Sequence, residues 1–165
     1  MRTIATVRPA QPKDAEGMRD LLNEIIAIGG TTAFEDPLDR DSVTAEFITA
    51  DALVCSHVVE DSAGDVAAFQ YLVAGPPHGD GIGSIASFAR QTDPVKGAGR
   101  ALFPRTRDAA RAAGLTEIEA KIRADNVPGL AYYSKMGFVD HHVVTGVPLK
   151  DGTPVDRIVK RLPLG

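Results

Sequence analysis

The stretch Lys96-Gly97-Ala98-Gly99-Arg100-Ala101-Leu102 brings together two glycines, two cations and the start of a helical run. A glycine lets the backbone approach a ligand closely, because no Cβ stands in the way. A helix that begins there offers unpaired N–H groups and the positive end of its dipole. An anion, phosphate above all, is therefore the expected guest. The plainer reading of the same residues is a strand-to-helix turn softened by glycine. The segment is too short for a Walker loop, and the upstream strand order does not suit a dinucleotide fingerprint. A second segment runs Asn126-Val127-Pro128-Gly129-Leu130-Ala131-Tyr132-Tyr133-Ser134-Lys135-Met136-Gly137-Phe138. It places Asn at a helix N-cap, Pro in the first turn and Gly at the C-terminal cap. His141-His142 raises the question of a metal. Adjacent strand residues point to opposite faces, and no Cys or carboxylate is spaced to complete a site, so no metal is expected. Cys55, inside an apolar run, reads as a small buried hydrophobe.

These segments need elements to hold them. Thr3 to Val7 is a short β-branched run, ended by Pro9, and reads as a strand. Met18, Leu21, Leu22, Ile25 and Ile26 form a helical stripe that Gly29-Gly30 stops. A shorter helix is predicted from Ser42 to Thr49. Ala52 to Val59 and Val66 to Ala74 read as a hairpin joined by Asp61-Ser62-Ala63-Gly64-Asp65. Gly75 to Gly83 reads as loop, and Ile82 to Ala89 as another strand. From Gly97 to Gly114 a helix is expected, with Ala101, Leu102, Ala109, Ala112 and Ala113 on one face. Glu117 to Ile122 alternates, putting Ile118, Ala120 and Ile122 on one side of a strand. Phe138 to Thr145 and Val155 to Leu162 complete the set, around the turn Lys150-Asp151-Gly152. The order β-α-α-β-β-β-α-β-α-β-β is an α/β mixture whose hairpins exclude a purely parallel sheet.

The 165 residues fit a single domain, 1–165, with 44% hydrophobic and 24% charged residues. Eighteen Lys and Arg against 22 Asp and Glu give a net charge of −4, which argues against a nucleic-acid partner. A local basic pocket for a small anion remains compatible with that balance. Cys55 is the single cysteine, so no intrachain disulfide can form and a reducing, cytoplasmic compartment is expected. Met1 to Pro12 lacks an apolar core of signal-peptide length, and no run of about eighteen apolar residues suggests a membrane span.

Taken together, the two segments resemble the GCN5-related N-acetyltransferase (GNAT) superfamily. There a phosphate-cradling Gln/Arg-x-x-Gly-x-Gly/Ala precedes a later Asn-started helix that carries a Tyr and ends in Gly-Phe. The resemblance covers nearly the whole element order, while its motifs occupy Ala89 to Leu102 and Asn126 to Phe138. It implies a GNAT fold of the α+β kind: a mixed, twisted sheet of six to seven strands with about four helices, its central parallel strands splayed. It further implies that acetyl-CoA inserts its pantetheine arm between those strands, beside the backbone of Phe88, Ala89 and Arg90. The pyrophosphate would rest on Lys96, Gly97, Ala98, Gly99, Arg100 and Ala101, with Gln91 or Arg100 in support. Asn126 would contact the arm, and Tyr133 would sit beside the thioester sulfur as the proton donor. The Ala89 N–H would stabilise the oxyanion. Homodimers are frequent in the family, and the acceptor would be the amine of a small or amino-acid-like molecule.

Two residues depart from the family pattern. Pro94 stands where the family has Gln or Arg and cannot offer a side-chain hydrogen bond. Pro104 lies inside the helix after the turn, where it removes the bond to the Arg100 carbonyl and is expected to kink or loosen it. A base is also needed, because a protonated alkylamine is not nucleophilic. The strand Ile82 to Ala89 has no acid, which leaves Glu35, His57, Glu60, His78, Glu119 and His141. Glu35 stands out, since Thr32-Ala33-Phe34-Glu35 loosely resembles the phosphinothricin-type acetyltransferases and follows the first helix, where the family builds its acceptor site. The competing reading is a CoA-binding regulatory module without catalysis. A transferase for a longer acyl group is a third.

Overall fold

The computed structural model describes residues 2–165. Strand β1 (Ile4–Pro9) leads through a 3-10 turn (Pro12–Asp14) into helix α1 (Ala15–Ile28). The predicted stripe Met18, Leu21, Leu22, Ile25 and Ile26 is the buried face of α1, and Gly29 and Gly30, at φ +77° and +86°, end it. Helix α2 (Arg40–Phe47) begins two residues before the predicted start. Its cap is Asp39, whose carboxylate accepts the Ser42 N–H at 2.7 Å. Strands β2 (Leu53–Asp61), β3 (Val66–Ala74) and β4 (Ile82–Ala89) follow as an antiparallel meander. Helix α3 (Ala98–Ala112), strand β5 (Glu117–Arg123), helix α4 (Val127–Lys135) and strands β6 (Val139–Pro148) and β7 (Pro154–Pro163) complete the chain. All seven strands form one mixed sheet in the order β1-β2-β3-β4-β5-β7-β6.

Helices cover both faces. On one, α1 and α2 pack Met18, Leu22, Val43 and Phe47 onto Val58, Phe69 and Phe88. On the other, Phe103 and Ala110 of α3 and Tyr133 of α4 pack onto Leu72, Ile85, Ile118, Ala120 and Ile122. The alternation of β5 thus places Ile118, Ala120 and Ile122 on the side of α3 and α4, as predicted.

Three expectations change. The buried face of α3 is Ala98, Leu102, Phe103, Thr106 and Ala110, whereas Ala112 and Ala113 are exposed. Alanines carry little hydrophobic signal, and Leu102 and Phe103 set the helix rotation. Pro104 leaves α3 unbroken from Ala98 to Ala112. Both Pro104 and Arg100 face solvent, so water can satisfy the Arg100 carbonyl that loses its partner. Finally, the β6–β7 register slips between Asp140 and His142. That bulge undoes the alternation that would separate His141 from His142, and their Nδ1 atoms lie 2.7 Å apart. Among the described residues no three His, Cys, Asp or Glu side chains converge as a metal site, and no helix is long and apolar enough to cross a membrane.

Candidate functional site

Strands β4 and β5 run parallel but pair only over Ile82–Ser84 and Glu117–Glu119. Beyond those residues β4 continues to Ala89 and β5 to Arg123, so the two part for the rest of their length. On its other side β4 stays paired with β3 through Ala89, and the Arg90 N–H extends that ladder by donating to the Ala67 carbonyl at 2.9 Å. Bond direction alternates along an antiparallel strand. Phe88 therefore shares the direction of Arg90, towards β3, while Ser87 and Ala89 turn their N–H groups into the gap. Of the three residues expected along the pantetheine arm, Ala89 offers its backbone to the opening; Phe88 and Arg90 spend theirs on β3. The Phe88 ring lies in the core under α1 and α2. The Arg90 guanidinium pairs with Asp61 at 3.0 Å and donates to the carbonyls of Thr92 and Asp93. Gln91 donates its side-chain amide to the Ala89 carbonyl at 2.9 Å and its backbone N–H to Glu24 at 2.7 Å. Arg90 and Gln91 thus shape the loop that carries the chain to α3.

That loop ends at Gly97, the N-cap of α3, in the left-handed region at φ +82°. The first helical bond is the Ala101 N–H to the Gly97 carbonyl, and the Ala98 N–H reaches Val95 at 3.4 Å. Lys96, Gly97, Gly99 and Arg100 keep N–H groups without an intramolecular partner among the described residues. The first turn holds no acid, Val95 and Ala98 face inward, and Lys96 and Arg100 face out. Ala101, by contrast, has no N–H to give. Gly99 is glycine for a different reason from Gly97: a Cβ there would stand 2.7 Å from the Tyr132 ring. This close approach is between α3 and α4, not between backbone and ligand.

Tyr132 and Tyr133 anchor a buried polar network. The Tyr132 hydroxyl donates to the Gly99 carbonyl at 2.7 Å and accepts from the Gln70 amide at 3.0 Å. The same Gln70 nitrogen donates to Ser87 Oγ at 2.8 Å, and Thr106 donates to the Gln70 carbonyl oxygen. Ser87 Oγ lies 2.8 Å from the Tyr133 hydroxyl. Burial pushes the Tyr133 phenol well above its ordinary range, and Ser87 offsets only part of that rise. The phenol therefore holds its proton at neutral pH. Asn126 caps α4 by accepting the Gly129 N–H at 3.0 Å and donates its amide to the Thr31 carbonyl at 2.9 Å. Both ends of its side chain are used within the protein, and a side chain on Gly129 would collide with it.

The gap opens into a cleft of about 280 Å³, walled by β4 from Ser84 to Phe88, the end of β5, Tyr133 and the α1–α2 loop from Thr31 to Phe34. Its charged lining is Lys121, Arg123 and Arg157. Arg123 and Arg157 sit directly opposite each other across β5 and β7. Arg123 makes a two-pronged pair with Asp125, at 3.0 and 2.8 Å, and donates to the Thr32 carbonyl. Arg157 is 7% exposed and has no hydrogen-bond or ion-pair partner among the described residues. Glu35 lies outside the lining; its carboxylate accepts the Lys150 N–H, at 2.9 Å to the nearer oxygen, and joins the α1–α2 loop to the β6–β7 turn. None of His57, Glu60, His78, Glu119 or His141 lines the cleft either. Glu60 pairs with Arg8 and Glu119 with Arg161. Sequence reasoning passed over Ser87, Gln70, Tyr132, Arg123 and Arg157. A glutamine within the apolar run Val66–Ala74 was the visible sign of the network.

No protein-family model matches the chain, and no curated protein sequence matches it. Solved structures do match, over nearly all of it. An N-acetyltransferase from Staphylococcus aureus Mu50 is similar over 97% of this chain and 98% of its own, at 21% identity and a TM-score of 0.86. A GNAT superfamily phosphinothricin acetyltransferase from Sinorhizobium meliloti, in complex with AcCoA, covers 99% of this chain with 90% of its own, at 21% identity and a TM-score of 0.85. A GCN5-related N-acetyltransferase from Kribbella flavida covers 96% of each chain at 22% identity and a TM-score of 0.81. What this chain shares with them is the fold: the seven-stranded mixed sheet of the GNAT structures, with its central strands splayed.

Proposed function

We propose that the protein is an acetyl-CoA-dependent N-acetyltransferase that moves the acetyl group directly to the amine of a small or amino-acid-like molecule. The observation that carries this reading is the parting of β4 from β5, which exposes backbone N–H groups beside a buried phenol. The residues present fit the cosubstrate. Unpaired N–H groups at Gly97, Gly99 and Arg100 suit a pyrophosphate, and Lys96 and Arg100 add positive charge. Arg90 and Gln91 hold the preceding loop in place.

Acetyl-CoA supplies an acyl group activated as a thioester, from which a thiol must leave. The Ala89 N–H, aimed into the gap, donates to the oxygen on which charge develops. Tyr133 holds its proton until the sulfur needs it and then donates it. Burial makes the phenol a weaker acid, and the same exclusion of water makes a departing thiolate a stronger base, so the transfer stays feasible. Asn126 and Arg123 hold the loop over the acceptor side through the Thr31 and Thr32 carbonyls. Glu35, anchored by Lys150 on that loop, takes the amine proton through water, because no acid lines the cleft itself. Glu35→Gln can still accept the Lys150 N–H, so a fall in kcat/KM that is steepest at low pH reports the lost base rather than a lost anchor. The lone thiol of Cys55 suits a reducing, cytoplasmic setting, and sedimentation of the same preparation tests for the homodimer the resemblance implies.

The first measurement is the melting temperature with acetyl-CoA, CoA or NAD. A ligand at a hundred times its Kd stabilises by about 2.7 kcal/mol. In a chain of this size that is a rise of about 5 to 10 °C. Acetyl-CoA and CoA should give the rise and NAD should not; thiol release across a panel of amines then reads the transfer. No rise with either CoA species removes the proposal.

A further inference from the structure

We propose that the cleft selects acceptors carrying a carboxylate beside the amine, and that Arg157, flanked by Arg123, is the site that holds it. This rests on the acetyltransferase reading of the same cleft. Three cations line the cleft and no carboxylate does. The counter-charges close by are committed elsewhere: Asp125 to Arg123, and Glu35 to the Lys150 N–H. Arg157 keeps five N–H donors at the wall of the cleft, and none of the described residues receives them. An unpaired buried charge is costly unless a partner arrives.

The placement of the two arginines makes the same point. Opposite charges facing each other across strands are favourable, and on this face of β5 and β7 Glu119 meets Arg161 in that way at 2.9 Å. Arg123 and Arg157 do the reverse, two cations set directly opposite each other. Burial and the charge of Arg123 push the Arg157 guanidinium below its usual range, and the more distant Asp125 and Glu35 carboxylates offset only part of that. A carboxylate relieves both costs at once, because a planar guanidinium fork matches it with two parallel hydrogen bonds. Arg157 lines the same cleft as Ser87 and Tyr133, so a bound carboxylate fixes which end of the acceptor faces the transfer.

The experiment compares wild type, Arg157→Gln and Arg157→Lys on matched acceptors: an amino acid, its amide and the amine lacking the carboxyl group. Wild type should favour the acid by about 10²-fold or more in kcat/KM, since a buried donor set rejects analogues that leave it unpaired. Arg157→Gln should bring that ratio to about one at an unchanged KM for acetyl-CoA. Arg157→Lys, which keeps the charge and loses the fork, should fall between. Arg157→Gln should also melt no lower than wild type, because it removes one of two opposed cations; a purely structural arginine would lower it. An acid-to-amide ratio near one in wild type, or a ratio that survives Arg157→Gln, overturns the proposal while thiol release upholds the acetyltransferase reading. If no amine releases thiol, melting shifts with the N-acetylated acid against its amide still decide it. A shift with the acid that Arg157→Gln abolishes sustains the site while the acetyltransferase reading falls; equal shifts overturn the site.

Discussion

The Tyr133 hydroxyl is the polar group of α4 that lines the cleft, and the bonds around it leave its proton two places to go. The Gln70 carbonyl oxygen accepts from Thr106, so its amide nitrogen donates, once to Ser87 and once to Tyr132. Tyr132 passes its own hydrogen to Gly99. Ser87 then has one hydrogen left, with the Tyr133 and Tyr132 hydroxyls both within reach, and either oxygen of the Ser87–Tyr133 pair can be the donor. In the arrangement where Ser87 donates to Tyr133, the phenol proton is free of the network and available to the gap. Tyr133→Phe should therefore lower kcat by about 10²-fold or more while KM for acetyl-CoA moves little. An unchanged kcat would mean that the phenol is only a core residue. The backbone donor at Ala89 allows a second test. Its N–H is not part of the β3 ladder, so Ala89→Pro removes the donor without breaking a strand bond. Stopped assays should show kcat down by about 10²–10³-fold, the usual loss of one oxyanion donor. Tyr133 could be read from the sequence because it sits at a fixed spacing between Asn126 and Gly137. Gln70 showed only as a lone polar residue in an apolar run and Ser87 not at all, since neither residue says which neighbours it will meet across the sheet.

Among the elements, α3 and α4 are set against each other by the absence of one methyl group. Gly99 lets the Tyr132 ring lie on α3, and its carbonyl receives the Tyr132 hydroxyl, so the turn that offers N–H groups is braced from the side of Tyr133. Gly97 does a different job and supplies the left-handed start of the helix. The two glycines should fail differently. Gly97→Ala meets open space and suffers only the backbone cost of about 1 to 2 kcal/mol. Gly99→Ala should cost more in wild type but add almost nothing to Tyr132→Ala, a non-additivity that urea unfolding of the four chains would measure. Most elements were legible because their signals are local: the stripe of α1, the alternation of β5 and the caps at Asn126 and Gly137. The misreadings have physical causes too. Asp39, the first of the capping residues before Ser42, started α2 two residues ahead of the predicted start, alanines misled the face of α3, and a bulge in β6 turned His141 beside His142. Arg123 and Arg157 escaped notice because charges on the outer side of an alternating strand read as solvated, and only the sheet order brings β7 beside β5.

Across the whole molecule, β2 carries two groups that set how stability falls in acid, and one of them also reaches the turn before α3. His57 is buried in β2, and desolvation, with Arg105 nearby, holds its pKa below the usual value. The unfolded chain therefore takes up that proton first, so stability is full above about pH 6.5 and erodes as the pH falls below it. Asp61, at the end of β2, is fully enclosed. Burial alone would raise its pKa, but the Asp65 and Ala63 N–H groups and the guanidinium groups of Arg90 and Arg2 outweigh it and bring the value down to about 2. Its contribution, about 2 kcal/mol, is present above about pH 4 and is lost as the pH falls towards 2. Asp14, held low by Arg8 and the Gln11 N–H against its own burial, loses its contribution in the same direction. Acid unfolding should accordingly have an early part that His57→Gln flattens and a late part that Asp61→Asn removes, read as the urea midpoint against pH. The late part has a functional side. Arg90, which Asp61 holds, also grips the carbonyls of Thr92 and Asp93 ahead of Gly97. Asp61→Asn should therefore weaken CoA binding at neutral pH as well, with the melting shift from CoA smaller than in wild type. A full shift in that variant would mean that the loop keeps its shape without the ion pair.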